Sequence, residues 1–259
     1  LSEFARAPSP ALPQRQDYLA SLPEPQEWFL EEMVRSGEAW GHADGSYAIL
    51  RGATLVEFFS ADRALCTDRL RLFLAQIPIA TALVKSFDRP VVQACQQLGW
   101  VSKVGGHLFR KRLPRPPAVF DGAEIRAAAQ GDIAPLWHMN DGFFDSEEEV
   151  ADQLRAGALW TVTLGGEIAG CGLTNRVIES RNAVDIGMMV APDFRRTGLG
   201  TYIACTLADD VARLGGRAIC GCGAGNLASK ATLEKAGFRS DHQLLSFALR
   251  PPEHDALPK

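Results

Sequence analysis

Short apolar runs alternate with amphipathic stretches along most of the chain, and the change of period marks the elements. Ser46–Leu50 and Thr54–Phe59 are strand-length runs around Arg51-Gly52-Ala53, a hairpin-like unit. Cys66–Gln76 has helical spacing, with Leu70, Phe73 and Leu74 on one face. Thr81–Lys85 predicts a strand. Pro90–Leu98 predicts a helix opened by Asp88 as cap and closed by Gly99. Val104–Arg110 predicts a further strand. Ahead of these, the first forty residues are rich in proline and charge; they predict a loose lead-in and one helix near Glu27–Ser36.

The segment Leu113–Gly122 carries three prolines and one glycine, and predicts a boundary that divides the chain into 1–117 and 118–259. Beyond it the alternation restarts. Ile125–Ala128 predicts a strand; Asp132–Asn140 and Ser146–Gly157 predict helices. Ala158–Leu164 and Ile168–Arg176 flank Gly165-Gly166-Glu167, a hairpin signal. A strand at Ala183–Val190 leads through a glycine turn at Arg195–Gly200 into a helix ending near Leu214. A strand at Arg217–Cys222 and a helix at Ala228–Ala236, stopped by Gly237, follow. Two terminal strands are predicted near Phe238–Asp241 and Leu244–Leu249. Antiparallel hairpins mixed with crossover helices imply a mixed α/β fold, a central mixed sheet with helices on its faces.

Composition narrows the function classes. Hydrophobic residues make up 46% of the 259 positions, enough for sizeable cores. The formal charge of −4 offers no basic excess to neutralise phosphates, which argues against a nucleic-acid partner. No apolar run reaches the roughly 20 residues that span a bilayer, and LSEFARAPSPALPQRQDYLA has no signal-peptide core. The expectation is a soluble, cytoplasmic protein without a membrane partner, monomeric or homodimeric. Of the six cysteines only Cys220 and Cys222 are close, and C-x-C is not a usual zinc spacing. They read as reduced core thiols, with no metal site.

The most informative stretch is Val184–Leu207. An apolar strand ends at Pro192, a loop carries Arg195-Arg196-Thr197-Gly198-Leu199-Gly200, and an apolar-periodic helix begins directly, through Thr201. Two glycines let successive amide N–H groups turn into one concavity. The helix start adds unpaired N–H groups and the positive end of its dipole. This is a seat for a pyrophosphate, which Arg195 or Arg196 can reinforce.

The spacing Arg195-x-x-Gly198-x-Gly200, after an apolar strand and the Pro192-Asp193-Phe194 corner, resembles the R/Q-x-x-G-x-G/A motif of GNAT acetyltransferases. The run Asn226–Phe238 resembles that family's second signature, filled here by Asn226, Ser229, Lys235, Gly237 and Phe238. The two motifs cover most of Val184–Phe238, and a looser resemblance spans about Ala123–Leu249. The resemblance implies a GNAT fold and acetyl-CoA as co-substrate. It also implies direct attack by an amine in a ternary complex. It places the strand edge that pairs with pantetheine at Met188–Val190, where the N–H of Met189 or Val190 would polarise the thioester oxygen. Leu199 and Thr201 belong to the same cofactor turn.

A rival reading is a dinucleotide fingerprint at Gly221–Asn226, with Asp241 about twenty residues on; Asn226, however, stands where the third glycine belongs. The N-terminal half parallels the second: the order from Thr54 to Arg110 repeats that from Val184 to Leu249, and Leu98-Gly99-Trp100 echoes Ala236-Gly237-Phe238. Its turn at Ser60–Cys66 has no glycine. The half reads as a degenerate GNAT-like domain, so that two GNAT-like domains lie in tandem; the alternative is an unrelated α/β domain.

For the chemical step, Asp185 stands where many family members carry Glu, and is the candidate base or water-positioning group; the alternative is a strand carboxylate bonded locally. Glu179 and Glu167 are lesser candidates. Leu233 occupies the position of the family's usual tyrosine acid. Thiolate protonation then falls to water or the departing ammonium, and a non-catalytic acyl-CoA-sensing role stays open. Tyr202 lies on the phosphate side of the site. The acceptor cleft maps to His138–Glu149, where Asp141, Asp145 and the glutamates suit a cationic amine beside Phe143 and Phe144; the alternative is a solvated helix start. Small-molecule amines and peptide or protein amines both fit.

Overall fold

The computed structural model describes residues 3–7, 13–178 and 182–248. In chain order the elements are β1 (Ala5–Ala7), α1 (Pro13–Ser21), α2 (Trp28–Arg35), β2 (Glu38–Gly41), β3 (Tyr47–Arg51), β4 (Thr54–Phe59), α3 (Cys66–Gln76), β5 (Thr81–Lys85), α4 (Arg89–Gln97) and β6 (Val101–Arg112). Then follow β7 (Ala123–Ala127), α5 (Ile133–His138), α6 (Glu147–Arg155), β8 (Leu159–Leu164), β9 (Glu167–Arg176), β10 (Ala183–Val190), α7 (Leu199–Arg213), β11 (Arg217–Gly223), α8 (Leu227–Lys235) and β12 (Phe238–Ala248). The chain forms two compact units. One runs up to His107 and resumes at His242; the other is Leu108–Asp241. The proline-rich segment lies within the second unit, where Leu113 N donates to Gly237 O at 2.9 Å.

In the first unit the strand order is β1-β2-β3-β4-β5-β12. All neighbours are antiparallel except β4 and β5, which run parallel. The α3 face seen in the sequence buries Leu70 and Phe73 against Leu55, Phe58 and Val84. The described residues of the lead-in are not loose. Phe4 is buried in this core, β1 pairs with β2 from Ala5↔Gly41 to Ala7↔Ala39, and α1 buries Tyr18 and Leu19. Helix α1, PQRQDYLAS, has too few apolar positions to announce itself. It is held by side-chain bonds to distant residues instead, Tyr18 Oη donating to Asp88 Oδ2 at 2.7 Å. The two terminal strands are one. Polar Asp241-His242-Gln243 suggests a break, yet Gln243 exchanges bonds with Ser86 through its O and N. Leu249 lies outside the described residues.

In the second unit the order is β6-β11-β10-β9-β8-β7. Here β7, β8, β9 and β10 are successively antiparallel, and β10 and β11 are parallel. Gly165 and Gly166 both have positive φ, 62° and 88°, as a two-residue primed hairpin turn requires. One sheet face is covered by α7 through Leu199, Ile203, Leu207 and Val211. The other is covered by α5 and α6, where Leu136, Phe144 and Val150 pack with Cys171 and Met189. Among the described residues no helix is long and apolar enough to cross a membrane.

Candidate functional site

Strands β10 and β11 pair over three residues only: Ala183↔Arg217, Val184↔Ala218 and Asp185↔Ile219. From Ile186 onward β10 follows β9 alone, up to Val190↔Gly170. The two parallel strands therefore part, with Asp185 at the vertex. Ala191 N donates to Ala169 O at 2.9 Å, towards β9. Backbone groups alternate in direction along a strand, so Met189 also faces β9. Two observations agree: the Met189 amide lies on the Cys171 thiol, and a Cβ at Gly170 would come within 2.3 Å of Met189 O. Met188 and Val190 thus turn their amides to the open edge. Of the two donors weighed from sequence, Val190 is on that edge and Met189 is not.

The chain leaves β10 through a 3-10 turn at Pro192–Phe194 and enters α7. Arg196, at φ 63°, is the one non-glycine residue with positive φ among those described, and Gly198, at φ 98°, is the N-cap. Gly198 has no side chain to cap the helix; Thr197 Oγ1 accepts weakly from Leu199 N at 3.4 Å. Tyr202 N is the donor that closes onto Gly198 O, so Gly200 and Thr201 belong to the first turn, whose amides point out of the helix end. A Cβ at Gly200 would sit 3.2 Å from Thr232 Cγ2 and 3.4 Å from Val190 Cγ2. Glycine here lets α7 start against α8 and the end of β10. This amide-lined turn suits a pyrophosphate: no carboxylate caps it, and two arginines flank it. Arg195 itself turns away, its Nε donating to Val190 O at 3.0 Å and its Nη2 pairing with Asp141 Oδ2 at 2.8 Å.

Asp185, Gly187 and Met189 share the sheet face opposite α7, since Met189 packs with α5 and α6 residues and side chains alternate. The loop between α5 and α6 lies over this face. Asn140 ties it, Oδ1 accepting from Phe143 N and Phe144 N at 2.9 Å each and Nδ2 donating to Phe144 O at 2.8 Å. Phe144 is buried, Phe143 half-buried and edge-on to it at 4.8 Å. The acidic run has local partners. Ser146 Oγ accepts from Glu149 N, Glu149 Oε2 accepts from Asp145 N, and Glu148 pairs with Arg155. It forms a capped helix N-terminus, and Asp141 reaches across to the glycine turn.

Asn226 caps α8, Oδ1 accepting from Ser229 N at 3.0 Å. Ser229 also meets the Cys222 thiol, which burial pushes up. Leu233 is buried in the α7 core and brings no proton there. Tyr202 packs towards Phe120. Glu167 is exposed at the start of β9, and Glu179 lies outside the described residues. The dinucleotide reading of Gly221–Asn226 fails on topology: it needs a doubly wound parallel sheet, whereas β10 pairs with β9, β9 with β8 and β8 with β7 in antiparallel fashion, and the parallel pairing is that of β10 with β11. None of the six cysteines is joined in a disulfide. Among the described residues no three His, Cys, Asp or Glu side chains are grouped to hold a metal. Sequence reasoning missed Gly170, Gly187 and Asn140; isolated glycines inside a strand pattern were the available signal for the first two.

The first unit repeats the parting of strands. Its β4 and β5 pair only at Thr54↔Thr81 and Leu55↔Ala82. Tyr18 of α1 lies at the gap beyond, with Lys85 and Asp88 beside it. Lys85 Nζ donates to Tyr18 Oη at 2.7 Å and to Gln26 Oε1 at 2.8 Å. Where the second unit has its glycine turn, this one has Asp62, whose carboxylate accepts from Ala64 N at 2.9 Å. A negative side chain already fills the turn.

Residues 131–238, inside the second unit, match the family model of the acetyltransferase (GNAT) family. A search of curated protein sequences finds no match. Among solved structures, a GNAT-family acetyltransferase from Colwellia psychrerythraea superposes with a TM-score of 0.84 at 16% identity, covering 96% of this chain and 100% of that one. A tandem GNAT protein from the clavulanic acid biosynthesis pathway gives 0.68 at 15% identity, covering 96% and 98%. A GCN5-related N-acetyltransferase from Sphaerobacter thermophilus gives 0.58 at 16%, covering 96% of both chains. These likenesses concern the fold. The fold they share with this chain is the mixed α/β GNAT fold, and they include a tandem GNAT protein. Within the second unit, residues 131–238 are similar to the acetyltransferase (GNAT) family.

Proposed function

We propose that the second unit binds acetyl-CoA along the open edge of β10 and at the start of α7, and transfers the acetyl group to a primary amine by direct attack in a ternary complex. The carrying observation is the parting of β10 from β11 at Asp185, beside a helix start with no side-chain cap. Acetyl-CoA supplies the activated thioester. The chain's own residues do the rest. Met188 and Val190 offer amides to an extended amide-bearing arm, as an added strand would need. The amides of Thr197–Thr201, with Gly198, Leu199 and Gly200 between, receive the pyrophosphate, and Arg196 adds charge, while Arg195 is held beside the turn by Asp141. Asn226 and Ser229 line the opposite wall of the gap, while Met189 fixes β10 onto β9. Asp185, at the vertex, takes the ammonium proton directly or through a water. With Leu233 buried, the thiolate is protonated by water or by the departing ammonium.

The second unit, Leu108–Asp241, carries the transferase function in this reading, and the first is the degenerate accessory unit, its turn closed by Asp62. The acceptor is a small molecule or a peptide or protein amine. Buried Leu233 also supports a second reading, an acyl-CoA-sensing module without turnover. Thermal melts with acetyl-CoA and with NAD, followed by CoA-thiol release over a panel of amines, separate the cases. At a hundredfold excess over Kd acetyl-CoA should stabilise by about 2.7 kcal/mol. No shift with acetyl-CoA sinks the proposal; a shift without thiol release on any amine favours the sensor.

A further inference from the structure

Phe143 sits on the reacting face at a position that limits what can approach it. A Cβ at Gly187 would lie 3.1 Å from Phe143 Cζ and 3.5 Å from its Cε2, so the ring rests directly on the strand where the side chain is missing. Gly187 is two residues from Asp185 on the same face of β10. Strand rise is about 3.3 Å per residue, so the Gly187 backbone under the ring lies about 7 Å along the strand from that of Asp185. An alkyl chain in van der Waals contact on both sides needs about 3.5–4 Å to each neighbouring atom centre. An amine-bearing carbon that reaches Asp185 passes beside the Phe143 ring, and a second carbon on it adds bulk on the side that the ring occupies. The ring cannot easily give way. Its backbone N–H is held by Asn140, Phe144 beside it is buried, and Asp141 two residues earlier is tied to Arg195.

We propose that Phe143, seated on Gly187, is a specificity-determining residue that restricts the acceptor to primary amines on an unbranched carbon. The inference rests on the acetyl-transfer reading and deepens it. The full chain is tested by calorimetry with CoA itself and with two CoA conjugates that carry n-butylamine or sec-butylamine through an S-acetyl linker. These report the acceptor side without turnover. The parent should bind the linear conjugate at least tenfold tighter than the branched one. Phe143→Ala, and Phe143→Leu as the variant that keeps most of the packing, should bring the ratio below about threefold while CoA affinity stays at the parent value. A parent ratio near one, or a ratio unchanged in both variants, overturns the inference and leaves the acetyl-CoA reading intact. Failure of CoA to bind the parent overturns both.

Discussion

Arg195 Nη2 lies 2.8 Å from Asp141 Oδ2 and joins the turn ahead of α7 to the loop between α5 and α6. Both side chains are about half exposed, 42% and 58%. Such a pair contributes little to stability, typically under about 1 kcal/mol. Its effect is to hold the guanidinium away from the amides of the turn. Asp141→Asn should therefore leave the melting temperature nearly unchanged while tightening CoA about two- to fivefold at low salt, because Arg195 is released towards the pyrophosphate. Calorimetry at two salt concentrations checks this. Weaker binding would mean that the pair itself shapes the turn.

The glycines of that turn should not be interchangeable. Gly198 has φ 98°, a conformation that side chains rarely adopt, whereas Gly200 is tight against Thr232 and Val190. Gly200→Val should abolish CoA binding and also lower thermal stability, by about 1–3 kcal/mol for the overpacking. Gly200→Ala should be mild, since a neighbour must give by only a few tenths of an ångström. A Gly200→Val protein with parental CoA affinity would exclude this turn as the seat.

Asp185→Asn tests the proton acceptor. Acetyl-CoA binding should persist while turnover falls about 10²–10⁴-fold. The deficit should shrink as pH rises towards the acceptor amine's own pKa, because deprotonated amine is then already abundant. Unchanged turnover at every pH would remove Asp185 from the chemistry.

Asp132 gives the second unit an acid-sensitive brace. Its carboxylate accepts from the Arg126 guanidinium at 2.6 and 2.9 Å, from Ala129 N at 2.8 Å and from Thr161 Oγ1 at 2.8 Å. The Arg126 bonds above all, against the opposing effect of burial, hold its pKa down at about 2. A depressed carboxyl pKa stabilises above the unfolded value near 4 and loses that contribution as pH falls through the folded value. The contribution at neutral pH is on the order of 2 kcal/mol. Denaturant melts of Asp132→Asn against the parent should show that gap at pH 7 and closing between about pH 4 and 2. A gap independent of pH would assign the effect to packing.

Cutting the chain at Pro117/Ala118 should not release two stable domains. The first unit takes its strand next to β5 from residues 244–248, and the second takes buried Leu108 and Phe109 from β6. Each fragment would lack a strand and expose an unpaired edge. Circular dichroism of 1–117 and 118–259 alone should show partly unfolded material. Two cooperative melts from the isolated fragments would contradict this.

Much of the fold was legible because its elements announce themselves locally. Thr54–Phe59, Cys66–Gln76, Thr81–Lys85 and Ala183–Val190 have the bounds their apolar periods predict. The same holds for the glycine turn, since positive φ at Gly198 and an uncapped helix start are properties of a few adjacent residues. What sequence alone could not decide depends on partners far along the chain. Helix α1 is polar by period and is held by Tyr18 against Asp88 and Lys85, some seventy residues on. Strand β12 is continuous because β5 pairs with it. Which amides of Met188, Met189 and Val190 face the gap follows from the register with β9, which no local pattern encodes. Arg195 turns to Asp141, and Phe143 settles on Gly187, only once separate loops and strands meet. Local periodicity and turn chemistry determined the likeness to the GNAT family and the glycine turn at the start of α7; long-range strand register and side-chain placement decided the shape of the sheet face beside it.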